Sequence, residues 1–398
     1  MRSRWRLAAC VAAVVFVATA FLPVPEGLYV SPFDAYGEAV VDGRVPYRDF
    51  SLEYPPASLP VFVVPALVPG VSYERAFRAL ETVLGVLLVT CTAYLLRDAR
   101  TPDLVVGVSL VALLPALLGQ LVFFRFDLWP ALLVSLSLVA LERGRSGVAA
   151  GALGLAVATK LYAAALLVPF LTLVERVEAR RRVGRAVAVL VAVAVLVTLP
   201  LTLVSPGGVA SSLGRQLDRP LQIESSGASV LLLVGDPEVE FGSGSWNLTG
   251  ALPTAVGVVS TIAGIVALGG VWAVTWRRRP ALGDAALAYA ACLAVVLVFT
   301  KVASPQFLVW LVPLVALVRG RAGRTTCALL AGACALTQLV YPARYAELVA
   351  GDTFPATLLL LRNALLIAVA AVLTIALVRR SGSGAPGRVP VSARGLPG

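Results

Sequence analysis

The sequence predicts an all-α polytopic membrane protein, a bundle of about 12 transmembrane helices joined by extracytoplasmic and cytoplasmic loops. Three observations carry this. Of 398 residues, 59% are hydrophobic and only 14% charged, against roughly a quarter charged in a soluble globular chain. The mean hydropathy is +0.89. The length accommodates about twelve spans at roughly 20 residues each. This composition excludes a cytosolic enzyme, a disordered chain and a coiled coil.

The elements follow in order. After Arg2, Arg4 and Arg6, an apolar run from Leu7 to Val24 reads as an uncleaved first helix. Its alternative is a signal peptide, for which Ala18-Thr19-Ala20 is a weak cleavage site. Residues 25–56 form the first polar segment, rich in Asp, Glu, Tyr and Pro. Residues 57–70 are apolar but interrupted by Pro60, Pro65 and Pro69, which suits a re-entrant or interfacial piece. Further spans are expected at 74–96, 103–122, 128–141, 147–159, 161–174, 184–204, 253–276, 282–299, 306–318, 325–341 and 356–378. A second large polar segment covers 205–252. Residues 1–380 therefore read as one integral membrane domain. The Gly/Ser/Pro/Arg-rich tail 381–398 reads as disordered and cytoplasmic.

Loop charge sets the orientation. With the N-terminus inside, twelve spans return the C-terminus inside, and most of the 33 basic residues then fall in cytoplasmic connections, as the positive-inside rule requires. The acids sort the other way. If 147–174 were a single span, the Arg-rich stretch 175–185 would lie on the wrong side, which favours two helices meeting near Lys160. Segments 25–56 and 205–252 are then both extracytoplasmic. The outer face offers no nucleotide sugar, so chemistry there requires a donor that arrives within the membrane. A bacterial plasma membrane with an extracytoplasmic active site is the expected location.

Absences narrow the chemistry. There is no His, which removes the commonest acid–base catalyst and metal ligand. Cys10, Cys91, Cys292, Cys327 and Cys334 lie in apolar stretches without metal-ligand spacing, and read as small core residues. The net charge of +11 marks cytoplasmic loops, not nucleic-acid binding. Of the basic residues only Lys160 and Lys301 are lysine; the Arg, Ala, Val and Gly excess suits GC-rich coding, as in actinobacteria.

Asp34 lies just beyond the first helix, where a carboxylate can act as general base toward a sugar hydroxyl. Ser31-Pro32-Phe33-Asp34 is equally an S-x-x-D helix start with proline at the first position, and both readings remain open. Arg125-Phe126-Asp127 sits at an outer junction. It offers a cation for phosphate with a carboxylate to orient it, or a snorkelling Arg with Asp127 as N-cap. Lys160 and Lys301 lie at the outer ends of apolar helices, against the inside bias. Ionisable groups at such depth are costly and point to function, and an ammonium suits a phosphate point contact; snorkelling is the alternative. The stretch from Arg215 to Ser226 mixes charge with apolar anchors, as in an interfacial helix, an acceptor lid or a solvated loop. The tryptophans sit mainly near span ends, as an aromatic belt predicts.

Taken together, these pieces resemble the GT-C class of membrane glycosyltransferases, specifically glycosyltransferase family 87, the polyprenyl-phosphate-mannose-dependent mannosyltransferases of actinobacteria. The matching residues are Asp34-Ala35-Tyr36 with Gly43, Pro46-Tyr47 and Tyr54-Pro55-Pro56; Arg125-Phe126-Asp127; Ala158-Thr159-Lys160-Leu161-Tyr162; Gln222-Ile223-Glu224-Ser225; and Lys301 with Ser304-Pro305-Gln306. The resemblance implies inverting transfer of a hexose, mannose by analogy, from a polyprenyl-phosphate donor to a glycolipid or polysaccharide acceptor at the outer leaflet. Asp34 matches the family's first-loop base. Arg125, Lys160 and Lys301 would hold the donor phosphate, and Tyr36, Tyr54, Asp127, Tyr162, Glu224 and Gln306 would line the substrate site. A departing lipid phosphate needs no second acid, and it carries less charge than a nucleotide diphosphate, so the reaction is expected to run without cofactor or metal. A transporter or lipid flippase would also suit twelve helices, but should show repeated halves, and the 46-residue stretch 206–251 has no counterpart half a chain away. A non-catalytic scaffold would leave the outward cations without a purpose.

Overall fold

The computed structural model of the protein describes residues 2–30, 32–178 and 181–380. The expected tail 381–398 and the Ser31 helix start lie outside the described residues. The first helices are α1 (Arg2–Thr19), α2 (Phe33–Val41), α3 (Leu59–Ala66), α4 (Tyr73–Leu95), α5 (Thr101–Ala112) and α6 (Leu114–Leu117). Next come α7 (Leu128–Glu142), α8 (Ser146–Thr159), α9 (Leu167–Glu178), α10 (Arg181–Val204), α11 (Pro206–Leu217) and α12 (Ser226–Val234). The chain ends with α13 (Ala251–Arg278), α14 (Ala285–Phe299), α15 (Leu308–Ala316), α16 (Gly320–Val340), α17 (Tyr345–Val349) and α18 (Thr353–Arg380).

Among the described residues, five helices are long and apolar enough to cross a membrane on their own: α4, α10, α13, the α14 segment and α18. The other expected spans are shorter or broken. The 103–122 stretch divides into α5, α6 and a 3-10 turn at Gln120–Phe123. Pro115 starts a new short helix, and Gly119 takes φ +81°, a conformation that side-chain-bearing residues rarely adopt. The 147–174 region is two helices: Lys160 has an extended backbone (φ −150°, ψ 129°), and a 3-10 turn at Leu161–Leu166 leads into α9.

Burial sorts the helices. The apolar window of α14 is 72% buried, whereas those of α10 and α13 are 6% and 11% buried. Thus α14 is the hub. The faces of α10 and α13 carry exposed Val191, Leu196, Leu203, Val259, Ile262 and Ile265, as surfaces built for lipid do. The proline-broken piece plugs into the bundle: Ala57 O accepts from Trp129 Nε1 at 3.2 Å and from Thr159 Oγ1 at 3.4 Å. On α2, a Cβ at Gly37 would sit 2.1 Å from the Phe62 carbonyl, so only glycine lets α2 lie against α3.

The loops gather at two ends. At one, segments 25–56 and 205–252 interlock: Ser205 Oγ donates to Tyr47 O at 3.0 Å, Ser212 Oγ to Leu52 O at 2.8 Å and Arg215 Nη2 to Ser51 Oγ at 2.8 Å. At the other, the Arg-rich connections pair with the few acids there: Arg97–Glu142 at 2.7 Å, Arg324–Asp103 at 2.6 Å and Arg279–Glu175 at 2.8 Å. Segment 205–252 holds more structure than expected. The stretch from Arg215 ends α11 and then forms strand β1 (Leu221–Gln222). Strands β2 (Val239–Gly242) and β3 (Ser245–Leu248) make a hairpin, and the antiparallel sheet runs β1-β3-β2. Ser243 and Gly244, at φ 52° and 71°, supply the left-handed pair a two-residue hairpin turn requires.

Candidate active site

The site begins at two helix ends. Lys160 terminates α8, and Asp127 occupies the N-cap position of α7. Asp127 does not cap with its side chain. Lys160 Nζ instead donates to Asp127 Oδ1 at 2.5 Å, and Trp310 Nε1 donates to the same oxygen at 2.5 Å. Both ionic residues are buried, Asp127 at 1% and Lys160 at 8% exposure. Aromatic rings close around the ammonium: Phe126 at 4.2 Å, Trp310 at 5.1 Å, Tyr54 at 5.6 Å and Phe307 at 5.7 Å. Trp310 is stacked between Tyr162 at 4.0 Å and Phe307 at 4.1 Å. A cation over π faces gains electrostatic stabilisation that grows with desolvation, so the cage suits a buried ammonium. Asp127 Oδ2 and the Tyr162 hydroxyl are buried without a hydrogen-bond partner.

Arg125 was expected to work with Asp127. The structure gives Asp127 to Lys160, and Arg125 Nη1 donates to the carbonyls of Tyr29 and Phe124, each at 2.8 Å. Lys301 Nζ donates to Leu217 O at 2.8 Å, and its own carbonyl accepts from the Gln222 N–H at 2.9 Å. Neither Arg125 nor Lys301 has an ion-pair partner among the described residues.

Asp34 lies in the first turn of α2, and Pro32 takes the N-cap position. Its Oδ1 accepts from the Ala35 N–H at 2.8 Å. Among the described residues it makes no ion pair, so it does not touch Arg125, Lys160 or Lys301. The connection is aromatic. Phe33, its neighbour, stacks on Phe62 at 4.9 Å and meets Phe126 edge-on at 5.4 Å, and Phe126 lies under Lys160. Tyr36 projects from another side of α2, packing on Phe50 at 6.0 Å. Its phenol is pushed above its ordinary range by burial and by the Glu53 charge.

A second polar group ties β1 to the later helices. Glu224 Oε1 accepts from Tyr345 OH at 2.7 Å, and Glu224 O accepts from Arg362 Nη2 at 2.8 Å. Glu224 is 2% exposed and its Oε2 has no partner. Burial pushes its carboxyl above the usual range. Gln222 Nε2 reaches Ser304 Oγ at 3.1 Å. The segments holding Gln222-Ile223-Glu224-Ser225 and Lys301 to Gln306, 82 positions apart, therefore do meet. Gln306 falls in the 3-10 turn that leads to Phe307 and α15.

Three residues escaped the sequence reading. Trp310 has the span-end position of an aromatic-belt residue but is a buried donor to Asp127. Glu53 pairs with Arg219 at 3.5 Å. Glu81 is fully buried on α4 with neither oxygen hydrogen-bonded. One available signal was the spacing of Phe307 and Trp310, which places both rings on one helical face.

Residues 52–305 match the family model for glycosyltransferase family 87. The chain belongs to glycosyltransferase family 87. It is thus a multi-pass membrane glycosyltransferase. The matched region contains Tyr54, Arg125, Asp127, Lys160, Tyr162, Glu224 and Lys301, while Asp34, Tyr36 and Gln306 lie outside it. Among solved structures, this family 87 chain is similar to ArnT from Cupriavidus metallidurans bound to undecaprenyl phosphate, with a TM-score of 0.50 and 17% identity over 94% of this chain and 77% of that one. At that identity the likeness concerns the fold, a GT-C bundle. No curated protein sequence matches the chain.

Proposed function

We propose that the protein moves a hexose, mannose by family analogy, from a polyprenyl-phosphate donor to a glycolipid or polysaccharide acceptor. The transfer is a single inverting displacement. The observation that carries this reading is the pairing of supply and demand at one end of the bundle: among the described residues Arg125 and Lys301 have no counter-ion, and Asp34 keeps a half-buried carboxylate bonded only to its neighbour's N–H. Cations without carboxylate partners at membrane depth attract an anion. The undecaprenyl phosphate bound by the ArnT structure supports a lipid carrier as that anion.

The chemistry follows. Arg125 and Lys301 neutralise the donor phosphate and the charge that builds on it as it leaves. Lys160 already has a counter-ion in Asp127, so it adds field and holds the aromatic cage in register. Asp34 accepts the acceptor hydroxyl proton as that oxygen attacks the anomeric carbon. The phosphate leaves as an anion and needs no proton. Tyr36 and Gln306 line the approach, backed by Tyr54 and Tyr162 of the aromatic cage and by the buried Glu224. Residues 1–380 act as one membrane domain in a bacterial plasma membrane, with the termini cytoplasmic and the site extracytoplasmic. Incubating membranes that contain the protein with radiolabelled polyprenyl-phosphate sugars tests this: label should enter a glycolipid or glycan, and no label with any such donor sinks the proposal.

A further inference from the structure

Glu53 immediately precedes Tyr54-Pro55-Pro56, where the two polar segments lock together. Its backbone is clamped: Glu53 O accepts from Ser212 Oγ and from Gln216 Nε2, each at 3.1 Å. Its side chain is not clamped to the same degree. One oxygen meets Arg219 Nη1 at 3.5 Å, and the side chain remains 31% accessible. Arg219 is itself held by Ser245 Oγ at 2.9 Å, and its Nε is buried without a partner. Burial and then the Glu53 charge push the Tyr36 phenol above its ordinary range.

A rigid backbone, a reachable carboxylate and a guanidinium come together here, with Tyr54 next in the chain and the Tyr36 ring stacked on Phe50 nearby in the same segment. Pyranoses are met by this combination. A carboxylate accepts from two vicinal hydroxyls at once, a charge-assisted arrangement stronger than neutral hydrogen bonds, while aromatic faces pack the apolar C–H side of the ring. The geometry points to Glu53 as a specificity-determining residue that grips hydroxyls of a hexopyranose, with Arg219 fixing its rotamer. The inference rests on the glycosyltransferase reading given above. The gripped sugar belongs either to the donor or to the acceptor, and the two have the same chemistry.

The test uses the full-length protein in detergent. Saturation-transfer NMR with methyl hexopyranosides reads sugar binding without turnover, and a fluorescent sugar-free polyprenyl phosphate reads carrier binding. E53Q should weaken glycoside binding about tenfold or more, the loss of one charge-assisted contact, and leave carrier binding within twofold. In the transferase assay, the substrate whose KM rises identifies the gripped sugar, with kcat little changed. Glycoside binding by E53Q equal to that of the parent overturns the inference. So does a kcat loss with both KM values unchanged, or carrier binding that falls in parallel. If E53Q does not fold, R219Q, which leaves the carboxylate in place but unheld, should show the same KM rise in weaker form; unchanged KM values there overturn it. A parent protein that binds glycosides but never transfers from a polyprenyl phosphate sinks the donor assignment and leaves Glu53 standing.

Discussion

Lys160 and Asp127, 33 positions apart, form a buried ion pair at 2.5 Å that Trp310, 183 positions from Asp127, completes at the same carboxylate oxygen. Removing one partner of a buried pair leaves the other charge uncompensated and typically costs about 3–5 kcal/mol. K160M or D127L alone should therefore lower the thermal stability of detergent-solubilised protein markedly. The double variant should recover much of the loss, because two apolar groups leave no orphan charge. Singles as stable as the parent would show the pair to be dispensable.

Among the described residues Asp34 accepts a single local hydrogen bond, which leaves its second oxygen open for the base role proposed above. D34N keeps the side chain's shape and removes its basicity. Turnover should fall roughly 100-fold or more, the usual contribution of a positioned base, while binding of the polyprenyl-phosphate donor persists. A D34N protein with near-parental turnover, measured at saturating donor and acceptor, removes Asp34 from the mechanism.

How much of this was legible in the sequence depends on which force placed each part. Helix positions were legible because lipid selects for apolar runs, and the break at Lys160 was legible from the charge of 175–185. The fold class followed from the composition, the mean hydropathy and the length. The breaks within 103–122 were carried by Pro115 and Gly119, which a hydropathy reading averages away. The hairpin at 239–248 announced itself in Gly242-Ser243-Gly244, but a search for membrane spans does not weigh turn chemistry. The site was harder. Candidate types were visible at Arg125, Asp127 and Lys160, but not their pairing. An Asp at a helix start serves equally as cap or counter-ion, and only packing decides. Trp310 resembles any interfacial Trp until its N–H is seen to meet Asp127.

Among the described residues Arg125 and Lys301 each donate to backbone carbonyls and to no carboxylate. A bound phosphate would outcompete a carbonyl for either, since an anion adds charge–charge attraction that a neutral acceptor cannot supply. R125Q and K301Q should each raise the donor KM by about tenfold, and K301R should restore part of the loss at Lys301. Binding of a fluorescent polyprenyl phosphate, titrated at low and high salt, checks this. Affinity unchanged in both glutamine variants would place the phosphate elsewhere.

If Arg125 and Lys301 hold the donor phosphate, fixed cations take the place that divalent ions have in nucleotide-sugar transfer, and the lipid phosphate has less charge to neutralise. Turnover by purified protein should accordingly survive EDTA within about twofold. Full loss on chelation, with recovery on adding back a divalent cation, would show that the basic residues do not suffice.

Glu224 gives a pH signature separate from catalysis. Burial holds its folded-state value above the ordinary 4.5, so the folded protein binds this proton more tightly than the unfolded chain does. Its contribution to stability is then fully present below the ordinary carboxylate range and is lost as pH rises through the raised folded value. E224Q cannot ionise and keeps the partner for Tyr345. Melting temperatures recorded from about pH 4 upward should therefore decline less steeply for E224Q than for the parent in that window. Parallel slopes for the two proteins would mean that Glu224 titrates alike in both states and that its burial carries no linkage.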